Sequence, residues 1–153
     1  MTILMSAFDP RTVLLAKHAQ HVVLIHFPIA LFVVGTAFDF LARWTKQQRQ
    51  LAAVAYYNIL TAAFAVVPTV ITGVLAWQYA LEGQKLKGIL LMHLFFGGTS
   101  AILIWSSAIV HWRARRAAKT PLPNYLFLIE AAGVAALMVA GHLGGFLSGV
   151  NGG

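Results

Sequence analysis

Four long apolar runs, separated by short polar stretches, dominate the chain: residues 22–41, 51–78, 88–112 and 125–147. Each holds about 20 residues or more, which at 1.5 Å per residue crosses a hydrocarbon core about 30 Å thick. The pattern predicts an all-α fold, an integral membrane four-helix up-and-down bundle forming a single transmembrane domain over residues 1–153. Asp9-Pro10 reads as a helix cap followed by proline at the first helical position. It opens a short amphipathic stretch to about Ala19, predicting a short N-terminal interfacial helix. The first eight residues carry no Lys or Arg, so no cleavable signal peptide is expected. Pro28 and Pro68 fall inside spans, where each removes a backbone donor and favours a kink that membrane bundles tolerate. Pro121-x-Pro123 marks the turn into the fourth span.

Composition narrows the class. Of 153 residues, 59% are apolar and 10% charged, against about 25% charged in an ordinary soluble domain, which excludes a water-soluble globular protein. The chain has no cysteine, so disulfide frameworks, zinc ribbons, thiol redox motifs and cysteine-ligated iron–sulfur clusters are excluded. A net charge of +7 would suggest nucleic acid in a soluble domain; here it reports topology, and no nucleic-acid partner is expected. Arg43, Lys46 and Arg49 lie between spans one and two, and Arg113, Arg115, Arg116 and Lys119 between spans three and four. These two loops share one side of the bundle and hold seven of the eleven basic residues. The positive-inside rule makes them cytoplasmic and puts both termini and the 82–87 loop outside. Arg11, Lys17, Lys85 and Lys87 fall on that outer side.

Chemistry in so apolar a chain rests on its six histidines, His18, His21, His26, His93, His111 and His142. His26 and His93 lie just inside the starts of spans one and three, and His142 just inside the end of span four. All three therefore share one depth, roughly 6 to 8 Å below the outer boundary at 1.5 Å per residue. His21 sits just above them, whereas His111 belongs to the opposite interface. Ionisable groups inside a membrane are rare and by default functional; the plain alternative is hydrogen bonding between helices. Small residues lie one turn from the histidines on the same face, Ala30 below His26 and Gly97 below His93, with Gly141, Gly144 and Gly145 around His142. They leave flat space beside the imidazoles, or else serve close helix packing.

A bare metal site would call for carboxylates near the histidines. The intramembrane acids, Asp39 and Glu130, map instead to the cytoplasmic end. Asp39 is expected to pair with Arg43, four residues on, and Glu130 with a residue of the basic loops. Adjacent helices stand 8–10 Å apart, and a diagonal pair in a square bundle roughly 14 Å, a separation that suits two imidazoles with an iron between them. Spans one and three are diagonal in up-and-down order, so His26 and His93 are the expected axial ligands of a b-type haem. His142 and His21 then serve as alternate ligands or supporting donors. No serine has an acid–base partner at a suitable spacing and depth, so no hydrolytic site is expected.

The run His21-Val22-Val23-Leu24-Ile25-His26-Phe27-Pro28-Ile29-Ala30-Leu31 resembles the opening signature of the domain of unknown function 2231 family, small four-span bacterial membrane proteins. Ala55-Tyr56-Tyr57-Asn58, Thr72-Gly73 with Trp77, His93, and Leu143-Gly144-Gly145-Phe146-Leu147 follow in that family's order. Val22 stands where the family usually has proline after its first histidine. The resemblance implies a multi-pass protein of the bacterial inner (cytoplasmic) membrane whose relatives are often associated with cytochromes and other redox modules. The expected function is a membrane-embedded b-type haem-binding electron-transfer protein or subunit, more an electron-transfer subunit than a stand-alone enzyme. Its expected partners are membrane lipid, a redox partner such as a c-type cytochrome or a quinone, and a larger membrane complex. The competing expectation is a cofactor-free structural or assembly subunit.

Overall fold

The computed structural model describes residues 17–46, 48–79, 81–117 and 122–149. The expected interfacial stretch before residue 17, Lys119 and the side chain of His18 lie outside the described residues. Among the described residues five helices follow one another: α1 (Lys17–Leu24), α2 (His26–Trp44), α3 (Gln48–Tyr79), α4 (Gly88–Arg116) and α5 (Tyr125–Leu147). α1 and α2 together supply the first span, Gln20–Trp44, and each of the other helices is also long and apolar enough to cross a membrane. Helices α3 and α4 run several residues beyond the apolar runs, because Gln48, Arg49 and Arg113 to Arg116 continue the helical ladder towards the interface.

The break at Ile25 has a local cause. Pro28 has no N–H to give to the carbonyl of Leu24, one turn earlier. The Thr69 hydroxyl, 2.8 Å from Ala65 O in its own helix, also lies 3.4 Å from that orphaned Leu24 oxygen. A threonine on a neighbouring helix thus partly satisfies what proline leaves open, as membrane bundles require.

The helices form a ring in chain order. α2 packs on α3, α3 on α4, α4 on α5, and α5 returns to α2, while α1 lies against α3. α2 and α4 are therefore diagonal. The core is built from Phe32, Ile59, Ala62, Ala63, Val66, Ile104, Ala108 and Leu137. In lipid the association of helices rests on close packing rather than on withdrawal from water, which favours small residues at contacts. A Cβ on Gly35 would come within 2.7 Å of Ile59 Cγ1, and one on Gly133 within 2.8 Å of the Phe32 ring. Large apolar side chains such as Ile102, Leu128 and Met138, each more than two-thirds exposed, face outward, as lipid contact requires.

Candidate functional site

At the end of the bundle away from the Arg-rich loops, two histidines meet. His21, on α1, donates its Nδ1–H to Thr69 O at 3.1 Å, with Thr72 Oγ1 3.3 Å away. His93, on α4, donates Nδ1–H to Ala140 O at 2.9 Å. A carbonyl can only accept, so both bonds select the tautomer whose lone pair is on Nε2. The two rings stand edge to face, with centroids 6.5 Å apart and planes at 89°. Glycines make the approach: a Cβ on Gly73 would lie 2.9 Å from His21 Cε1, and one on Gly144 3.2 Å from His93 Cε1.

His26 and His142 have other surroundings. His26 is exposed and bonds Val22 O of its own chain segment at 2.7 Å through Nδ1. His142 is exposed and packs its ring on Phe146 at 5.1 Å. The ring contact to His93 thus comes from His21 and not from His26. Five residues separate the two along the helix, about 140° of rotation at 3.6 residues per turn, so one depth does not give them one direction. Ala30 is exposed, and no atom lies within 4 Å of a Cβ placed on Gly97. At this end Thr69 was not singled out from sequence, and Thr72 and Gly73 entered only through the family resemblance, without a place in the site. Their spacing of three and four residues put them on one face of α3, a legible signal that pointed to no particular partner.

The opposite end corrects three expectations. His111 is buried (4% exposed) rather than solvated at an interface. Its Nε2 bonds Glu130 Oε1 at 3.0 Å, and Ser107 Oγ donates to the same oxygen at 2.8 Å. Glu130 thus finds its partners on α4 instead of in the basic loops, and a serine does have an acid beside it. The histidine and the serine share one carboxylate oxygen, however, so the imidazole does not stand between them as a nucleophile's base would. Asp39 pairs with Arg43 as its spacing predicted, Arg43 Nη2 and Nε lying 3.0 and 3.2 Å from the same Asp39 oxygen, Oδ2. Asp39, His111 and Glu130 each offer a ligand atom, all within 4.8 Å of one another. Ser107 and His111 are four residues apart on one helix face, and the depth argument used for the other histidines, applied to this end, brings Asp39 and Glu130 beside them.

The description "Predicted membrane protein (DUF2231)" matches residues 17–152. The chain belongs to this family. The matched range takes in all four spans, including His21, His93 and Gly144. No curated protein and no solved structure matches the chain.

Proposed function

We propose that this family member is a membrane-embedded b-type haem-binding electron-transfer protein or subunit, with haem ligated by His21 and His93. The observation that carries the reading is the pair of imidazoles on different helices at 6.5 Å, each tied through Nδ1 to a main-chain carbonyl. Nε2 of each ring would be the atom that holds the iron of a bound haem. Ligating histidines characteristically donate their second nitrogen to a carbonyl, which holds the ring and raises its basicity. Thr69 and Ala140 supply those carbonyls. His26 is exposed and bonded within its own segment, so His21 rather than His26 would hold the haem with His93. Bound haem would supply reversible one-electron chemistry at iron.

The basic loops support an orientation in the bacterial inner membrane with both termini outside, so that the histidine pair lies near the outer face. There a c-type cytochrome or a quinone, within a larger membrane complex, is the partner we propose. Protein purified from a haem-replete host should show a low-spin reduced spectrum. His21→Ala and His93→Ala should lose haem or become high-spin, while His26→Ala and His111→Ala should keep the wild-type spectrum. The second reading, a cofactor-free structural subunit, draws on the same bonds, which join α1 to α3 and α4 to α5. It would be favoured if no preparation carried haem and His21→Ala and His93→Ala only lowered the melting temperature.

A further inference from the structure

We propose that Asp39, His111 and Glu130 form a second site, at the end of the bundle nearest the Arg-rich loops, that binds a divalent transition-metal cation of the zinc class. Three helices supply the set: Asp39 from α2, His111 from α4 and Glu130 from α5. All three are buried, at 2%, 4% and 0% exposure. Their ligand atoms lie within 4.8 Å of one another, whereas bonds of about 2.0–2.2 Å in a tetrahedral site put ligand atoms roughly 3.4 Å apart. Closing that difference takes shifts of the order of 1 Å, within the reach of side-chain rotation in two carboxylates and an imidazole.

Independent of the clustering, the Glu130 carboxylate is incompletely satisfied. Its Oε1 accepts from both Ser107 and His111, while its Oε2 is buried and has no hydrogen-bond partner. A carboxyl oxygen buried without a hydrogen-bond partner is costly, and a bound cation would remove the cost. Arg43 does not compete for the whole of Asp39, because both of its contacts converge on Oδ2 and leave Oδ1 for a ligand.

The donor set selects the metal. Calcium and magnesium take oxygen ligands almost exclusively, so an imidazole among three ligands points to zinc and its first-row neighbours. With three protein ligands a fourth position stays available for water. A route exists: a cleft of about 880 Å³ is lined by Asp39, Arg43, His111, Tyr56, Arg115 and Asn124 among others, and opens at this end of the bundle. Asp39 and His111 border the cleft, and the Glu130 ligand atom lies within 4.8 Å of theirs.

The test is titration of the detergent-purified full chain with Co2+, whose visible bands report tetrahedral N/O ligation, followed by competition with Zn2+. Wild type should bind one equivalent. Glu130→Gln, which keeps the shape of the side chain and its contact with Ser107, and His111→Ala should each weaken binding by at least about tenfold. Zn2+ should raise the melting temperature of wild type and not of Glu130→Gln. His93→Ala should leave the Co2+ bands unchanged, and Glu130→Gln should leave any haem spectrum unchanged, so this proposal and the haem reading fail separately. Absence of Co2+ binding in wild type, unaltered binding in folded Glu130→Gln, or loss of the bands in His93→Ala would each overturn it. The first two outcomes would make the cluster a proton-sharing network, and the third would move the metal to the histidine pair.

Discussion

Glycine at 73 and at 144 is defined by the ring it faces. With a Cβ at Gly73 only 2.9 Å from His21 Cε1, a valine there must displace the imidazole from Thr69 O, so Gly73→Val should lower haem content without touching a ligand. Crowding of this kind costs typically 1–3 kcal/mol, small enough for the bundle to survive. Soret absorbance per protein, read beside a thermal melt, separates the two effects. Gly97→Ala is the matched control: its new methyl meets no atom within 4 Å, and both readings should stay at wild type. Gly133→Ala should leave the spectrum alone and lower stability by about 1–3 kcal/mol, because its Cβ would lie 2.8 Å from the Phe32 ring at the crossing of α2 and α5. A melting temperature equal to wild type in that variant would mean the helices shift apart freely there.

The first span is the element whose irregularity matters most. The ladder around its break keeps Ile25 N on His21 O at 3.0 Å and Ile29 N on Ile25 O at 3.3 Å, while Pro28 leaves Leu24 O to the longer contact with Thr69. Thr69 also receives His21 through its carbonyl, so one residue of α3 both covers the break and holds the imidazole beyond it. Pro28→Ala restores the missing donor and should straighten the span. Helical circular dichroism should hold or rise, and haem content should fall as His21 turns away from His93. A straightened variant with an unchanged haem spectrum would show that the break does not aim His21. Proline in the sequence predicted the kink; the threonine that answers it lies 41 residues away, beyond the reach of any local pattern.

For the whole molecule, the distribution of charge is the property most open to a direct test. Seven of the eleven basic residues fall, by sequence, between the apolar runs of spans one and two and of spans three and four, so a reporter active only outside the membrane should work when fused after Gly153 and fail when inserted at residues 47–50. The reverse pattern would put the histidine pair on the cytoplasmic face. That four helices are long and apolar enough to cross a membrane was legible from sequence, because hydrocarbon thickness converts directly into a number of residues. So was the pairing of Asp39 with Arg43, since i and i+4 are neighbours on any helix. Rotation about each helix axis was not legible. These spans are apolar on nearly every face, so no amphipathic stripe marks which side turns inward, and the packing of Gly35, Gly133 and Phe32 sets that angle instead. That angle, together with the break at Ile25, brings His21 rather than His26 to His93, and it joins His111 to Glu130 in a buried cluster. The sequence determined how many spans the chain has and where along each span its chemical groups fall, because span length follows from rise per residue; only the tertiary structure decided which groups face one another, because facing depends on contacts between helices distant in the chain.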